Sequence, residues 1–72
     1  MIEWRSSYNN DPLEDGYYAT QYCWDALEGG FCAVVRFLGG MWEENLPLLQ
    51  WAGPFATEEQ ADVWLEEHDI SF

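Results

Sequence analysis

The chain has 72 residues, with 14 Asp and Glu against two Arg and one His, so its formal net charge is -12 at pH 7. We expect one domain over residues 1–72, because a chain this short buries too little surface for more than one, and multidomain enzymes are excluded. Direct binding to nucleic acid or to an anionic membrane needs a basic patch, which Arg5 and Arg36 cannot form.

The composition predicts a folded, soluble, cytoplasmic protein. Disordered acidic chains are poor in aromatic residues, whereas this chain is 49% hydrophobic and 18% aromatic. Its N-terminus lacks a basic region followed by an apolar run, which predicts neither a targeting segment nor a membrane span. Cys23 and Cys32 are expected to be buried thiols of a reducing compartment rather than a disulfide or a zinc site.

The first third of the chain carries one edge strand and one ambiguous segment. Residues 2–8 are expected to supply the edge strand. Residues 11–28 alternate as a strand that forms a hairpin with the next segment through the glycines at 29–30, after a short turn at 11–16. They also fit a helix capped by Asp11 with Pro12 at its first position. Gly16 and the aromatic content favour the hairpin, and the caps keep the helix as an alternative.

The middle of the chain predicts two strands. Phe31–Leu38 is a β-rich run between glycine pairs at 29–30 and 39–40, which indicates a central strand. Residues 48–52 form the second, with Pro47 before it and Gly53-Pro54 ending it, where proline is tolerated in a sheet. Residues 39–47 are then expected to be a wide hairpin connection between the two strands.

The C-terminal segment predicts a helix. Thr57-Glu58-Glu59-Gln60 is a capping box, so we expect a helix from Thr57 to residues 67–69, with Ile70 and Phe72 packing the tail back. The predicted fold class is α+β, a small antiparallel sheet of three to four strands packed against one C-terminal helix. Residues spaced i, i+3, i+4 and i+7 should face the core: Ala61, Trp64, Leu65 and His68.

The acids of this helix gather on one side when placed at 100° per residue, opposite the core residues. Pairs such as Glu58 with Asp62 are like-charged and cost about 0.2–0.5 kcal/mol each. Solubility is one explanation of such a face. An ordinary solvated face mixes signs, however, so a negative field that costs stability is easier to explain as a binding surface. The helix residues expected to contact a basic partner are Glu58, Glu59, Asp62, Glu66, Glu67 and Asp69.

Further acids and aromatics extend this expected surface. Acids near the hairpin and in the loop after Trp42 are also predicted to contact the partner: Asp25, Glu28, Glu43 and Glu44. Exposed aromatics would supply the energetic hot spots that charge alone does not; the candidates are Tyr8, Tyr17, Tyr18 and Trp42.

Catalysis and cofactor binding have little support. Nothing holds one carboxyl protonated beside an ionised one, as acid–base catalysis requires. His68 is expected to pack or to lie near the helix end. The oxygens of residues 9–16 miss the spacing of a calcium loop. We therefore expect no enzyme activity, no cofactor and no metal.

The segment from Gly53 to Leu65 resembles the strand-exit and helix segment of many small bacterial and phage proteins in which one helix closes a short sheet. With its size, charge and aromatic content, the chain resembles the acidic phage-encoded inhibitors that mimic nucleic acid, among them anti-CRISPR and anti-restriction proteins. This resemblance implies an inhibitor in the host cytoplasm that occludes a basic nucleic-acid-binding channel of a defence complex. It implies that the first residues to test are Glu58, Glu59, Asp62, Glu66 and Glu67.

A second hypothesis is a small adaptor or structural subunit, of a phage particle or a toxin–antitoxin pair. In that case the exposed aromatics form the contact and the acids only keep the chain in solution. A homodimer fits either hypothesis, because 13 aromatic residues can bury some of their surface between copies.

Overall fold

The computed structural model describes residues 2–8, 10–23 and 30–68, which form one antiparallel sheet and one helix. The strand order is β1-β5-β2-β3-β4. The α+β class is confirmed, but five strands are present rather than three to four, because two of them have only two residues. The elements are β1 (Arg5–Ser6), β2 (Gly16–Tyr22), β3 (Phe31–Leu38), β4 (Met41–Trp42), β5 (Leu48–Phe55) and α1 (Glu58–His68).

The hairpin interpretation of the ambiguous segment is confirmed and the helix alternative is wrong for residues 16–22. β2 pairs with β3 in regular antiparallel register from Gly16 opposite Phe37 to Tyr22 opposite Phe31. Side chains on both faces of β2 are buried. Because successive side chains of a strand point to opposite faces, Tyr18 is buried on one face and Ala19 on the other. Residues 24–29 of the predicted hairpin lie outside the described residues.

The central strand of the sheet is β2, not β3. The prediction that residues 39–47 join β3 to β5 as a hairpin is wrong, because β5 pairs with β2. Gly39 and Gly40 instead form a tight turn with φ of 61° and 83°, after which Met41 pairs with Leu38. Positive φ at both central residues is the two-residue hairpin turn that glycine favours. The chain after β4 therefore crosses to the other side of β2 before it forms β5.

β5 continues through Pro54 instead of stopping at Gly53. Tyr17 lies opposite Phe55 while Ala19 lies opposite Ala52, so β5 has one extra residue between these pairs. This bulge contains Gly53-Pro54, whose peptide bond is cis, and a bulge is a place where a sheet tolerates proline. A second register shift lies between Gln21 and Tyr22. Bulges increase local twist and bend the strand that carries them, which fits a curled sheet.

One face of the sheet buries an aromatic cluster. Tyr18, 1% exposed, makes edge-to-face contacts with Phe37, Trp42 and Trp51 at centroid distances of 5.4–6.2 Å. The Tyr18 hydroxyl donates to the Glu14 carbonyl at 2.6 Å, and Trp51 Nε1 donates to the Asn10 carbonyl at 2.8 Å. These bonds hold the segment before β2 over the cluster. The expectation that Tyr18 is an exposed contact residue is wrong, because its ring is the centre of this core.

The other face packs against α1. Ala19 and Ala52 are fully buried there, together with Phe55, Ala61 and Leu65. Small side chains on β2 and β5 allow the helix to approach the sheet closely. Among the described residues, no helix combines the length and apolar character that a membrane span requires.

The predicted edge strand is present but short. Only Arg5 and Ser6 pair with β5, opposite Trp51 and Gln50. Ser7 continues the attachment, because its amide donates to the Leu49 carbonyl and its hydroxyl to the Leu48 carbonyl.

Replacing Gly53 with alanine should destabilise the fold by about 2–4 kcal/mol. An added Cβ would lie 2.7 Å from Tyr18 Cδ2 and 3.1 Å from the Tyr17 carbonyl oxygen, and φ at Gly53 is 150°. Gly40→Ala is the matched control, since φ is also positive there but nothing lies within 4 Å of the added Cβ. Urea unfolding should rank the two variants in that order, and equal losses would contradict the close-contact explanation.

The stability of the protein should fall at alkaline pH through Tyr18. Burial, followed by the charges of Glu14 and Asp15, raises the pKa of Tyr18 above its ordinary value of 10.0. The unfolded chain then loses this proton first, so the contribution of Tyr18 is intact below about pH 10 and is lost as pH rises through the raised pKa.

Tyr18→Phe should reduce this alkaline loss, at a cost of about 1 kcal/mol near neutral pH for the missing hydrogen bond. Tyr8→Phe is the matched control, because it removes a tyrosine hydroxyl from a side chain that is 83% exposed. The free energy of unfolding in urea, followed from about pH 8 to about pH 11, which is two units below to one unit above the ordinary tyrosine pKa, measures both. An unchanged slope in Tyr18→Phe would contradict the assignment.

Candidate partner-binding surface

The N-terminus of α1 is fixed by a side-chain cap. The Gln60 amide donates to Thr57 Oγ1 at 3.1 Å, so Thr57 is the N-cap and the helix itself begins at Glu58. Glu58 and Glu59 occupy the first turn, where the helix dipole favours negative charge. The predicted helix is therefore confirmed over Glu58–His68. The proposed packing of Ile70 and Phe72 lies outside the described residues.

The core stripe of α1 is confirmed in part. Ala61 and Leu65 are buried and Trp64 is half-buried, but His68 is exposed. The His68 ring stacks on Trp64 at a centroid distance of 4.2 Å and an interplanar angle of 10°. Its Nδ1 lies 2.9 Å from the Trp64 carbonyl oxygen. His68 is thus held against the outside of the helix end and does not enter the core, contrary to the prediction from spacing.

All the predicted contact acids of the helix that the structure describes are exposed. These side chains are Glu58, Glu59, Asp62, Glu66 and Glu67. Asp69, Asp25 and Glu28 lie outside the described residues.

The acids occupy one flank of α1. At 100° per residue, Glu58, Glu59, Asp62 and Glu66 span an arc of about 100°, and this arc begins about 20° from the buried Leu65. The arc therefore lies beside the core stripe rather than opposite it. We call these four residues the acidic flank. Glu58, Glu59 and Asp62 line a shallow concavity with Val34 of β3, which places the acidic flank on the β3 side of the helix.

Glu43 and Glu44 lie towards the β3–β4 edge of the sheet, the same lateral edge that the acidic flank lies nearest. Both are exposed and follow β4, which is the neighbour of β3. The Glu43 amide donates to the Arg36 carbonyl at 2.9 Å, so the β3–β4 register extends to place Glu43 opposite Arg36. These two acids therefore add negative charge near β3, but they are not part of the series of acids on α1.

The two cations leave most of this negative charge uncompensated. The Arg36 guanidinium lies over the Tyr17 ring, 5.6 Å from its centroid, a cation–π contact. Arg5 lines a separate cleft with Asp11 and Glu14 on the aromatic face of the sheet. Two positive charges offset at most two of the 14 acids, so the field around α1 stays negative.

The flank of α1 next to the acidic flank carries a feature that the sequence pattern alone did not predict. Val63 is 50% exposed and lines a groove with Phe55, Trp64, Gln60, Glu59 and Glu67. An apolar residue between Glu59 and Glu67, each one turn away, was the available signal. The groove forms only because Phe55 of β5 lies beside Val63, and the bulge in β5 positions Phe55 there.

The predicted aromatic contact residues are mostly covered. Tyr8 is exposed, Tyr17 and Trp42 are half-buried, and Tyr18 is buried. Within the described ranges, no group of three or more His, Cys, Asp or Glu side chains is arranged to hold a metal ion.

The chain matches no protein-family model, no curated protein and no solved structure. Any assignment of function therefore depends on the surface geometry and charge described above.

Asp62→Lys should stabilise the fold. It converts the like-charged pairs of Asp62 with Glu58 and Glu66 into attractive ones, for a gain of about 1 kcal/mol at low salt. Asp11→Lys changes the net charge equally but lies outside the helix, so it should gain less. Thermal unfolding at low and at about 1 M salt checks this, because screening should remove the difference between the variants. A gain that persists at high salt would contradict the electrostatic origin.

Proposed function

We propose that this protein is an acidic inhibitor that occludes a basic nucleic-acid-binding surface of a host defence complex, most directly as an anti-CRISPR protein that mimics DNA or RNA. The observation that carries the proposal is the row of exposed carboxylates on a helix with almost no cations near it. Its resemblance in size, charge and composition to phage-encoded inhibitors points in the same direction.

The linear charge density of the helix suits a phosphate-binding groove. Glu58 and Glu67 are nine residues apart, about 13.5 Å along the helix axis, so the five described acids are unevenly spaced but average one charge per about 3.4 Å of axis. One strand of B-DNA carries a charge about every 3.4 Å along its axis. A groove whose Lys and Arg are spaced for phosphates would meet a similar number of negative charges on α1.

The helix also presents its charges on a rigid support. Ala61 and Leu65 anchor it to the sheet, and Thr57 fixes its first turn. A rigid ligand loses little conformational entropy on binding, which favours affinity. Acids that repel one another in the free protein should find their compensating charges in the partner, so association should be fast and sensitive to salt.

The adaptor hypothesis has less support. It requires exposed aromatic side chains, and of the four candidates only Tyr8 is exposed. It stays as the alternative in which the acids serve solubility alone.

The test is capture of proteins from a bacterial lysate on the immobilised protein. Wild-type protein should retain basic nucleic-acid-binding proteins at about 50 mM salt and release most of them by about 200 mM. Added double-stranded DNA or RNA should displace them. A purified captured protein should in turn lose nucleic-acid binding when the inhibitor is added in stoichiometric amount.

Two triple variants with the same net charge decide whether the helix is responsible. The combination of Glu59→Gln, Asp62→Asn and Glu66→Gln should abolish capture. The control combination of Glu3→Gln, Asp11→Asn and Glu14→Gln changes exposed acids elsewhere and should retain it. Equal capture by both variants, or retained proteins that nucleic acid does not displace, would count against the proposal.

A further inference from the structure

The groove on the second flank of α1 combines an apolar floor with acidic ends. Phe55, Val63 and Trp64 supply the apolar atoms, while Glu59 and Glu67 lie one turn before and after Val63. We call it the Val63 groove. It shares Glu59 with the acidic flank, whose other members, Glu58, Asp62 and Glu66, do not line it.

Arginine is the side chain whose chemistry matches both parts of this groove. Its three methylene groups can cover apolar surface while the guanidinium reaches a carboxylate. The guanidinium also packs on aromatic rings and pairs with carboxylates through two parallel hydrogen bonds, which an ammonium group cannot do. Trp64 and Glu67 are three residues apart on the helix and so lie on neighbouring positions of its surface.

We propose that the Val63 groove receives an arginine side chain of the basic partner, with its stem over Val63 and Phe55 and its guanidinium at Glu67, against the part of the Trp64 ring that lines the groove. His68 stacks on one face of that ring and Trp4 makes an edge-to-face contact with it, so the guanidinium uses the surface that these two leave open. This inference rests on the proposed function, because it names the side chain by which the basic partner is held. A second copy of the chain fits the groove poorly, since each copy carries a net charge of -12 and would bring acids against Glu59 and Glu67.

The groove adds what the acidic flank lacks. A row of exposed carboxylates attracts both arginine and lysine, whereas an apolar floor beside an indole adds a further preference for arginine. Charge would then set the rate of encounter, and the groove would select partners that present arginine at one position.

The experiment is a heteronuclear NMR titration with two short peptides of equal length and charge, one alternating arginine with glycine and the other lysine with glycine. The arginine peptide should bind about two- to fivefold more tightly and should shift the Trp64 indole and Val63 amide signals. Trp64→Phe identifies the indole signal among the five tryptophans.

Matched variants separate the groove from general charge. Glu67→Gln should reduce the preference for arginine, whereas Glu66→Gln, which removes the same charge on the adjacent residue outside the groove, should weaken both peptides equally. Val63→Ser keeps every charge and should abolish the preference; its circular dichroism spectrum should match that of the wild type.

Equal affinities for the two peptides, shifts confined to Asp62 and Glu66, or no binding at low salt would overturn the inference. The first two results would not bear on the proposed function, which the lysate experiment tests separately through displacement by nucleic acid. Conversely, an arginine preference together with retained proteins that DNA and RNA do not displace would count against the mimic and support the groove.

Discussion

The close approach of Gly53 to the Tyr18 ring is the contact on which the rest of the fold depends. Tyr18 comes from the central strand and touches aromatic rings from β3, β4 and β5. The ring has room only because residue 53 has no side chain. The bulge at Gly53-Pro54 shifts the end of β5 by one residue, so that Phe55 packs on the helix side of the sheet. One glycine therefore connects the aromatic core to the position of α1.

Burial on both faces of the sheet explains how a small helix can carry so many acids. The aromatic cluster of Tyr18, Phe37 and Trp51 lies on the face that α1 does not cover. The helix therefore has to contribute only two buried side chains, Ala61 and Leu65. Both of its flanks remain available to solvent, one acidic and the other partly apolar. Substitutions on those flanks are separated from the aromatic core by the sheet.

The features that the sequence predicted well are local ones. The start of α1 depends on Thr57 and its neighbour Gln60, and the bounds of β3 depend on glycines next to it, so a short window contains the whole signal. The pairing of β5 with β2 is not local, because it depends on the bulge and on the shape of Tyr18. The tight turn at Gly39-Gly40 has a local signal as well, because a glycine pair favours a two-residue hairpin turn and does not only end a strand.

The features of the candidate surface can likewise be separated into those with a local signal and those that depend on distant residues. Exposure of the helix acids followed from their number and spacing, since a marginal domain cannot bury unpaired carboxylates. The prediction that His68 faces the core is wrong because helical spacing alone does not decide the position of a residue at the helix end. Spacing puts it on the core stripe, but it occupies the last helical residue, where stacking on Trp64 competes with packing on the sheet. The Val63 groove needed Phe55 from another element, which no helical wheel contains.

The two ends of the sheet have a consequence for how the chain meets other copies of itself. β1 and β4, the outermost strands, have only two residues each. An unpaired strand edge is a template on which another chain can add a strand, and short edge strands limit the hydrogen bonds available to such an intruder. A protein rich in tryptophan and tyrosine would otherwise be exposed to sheet-to-sheet aggregation. Short edge strands let it keep an aromatic core with less exposure to strand addition.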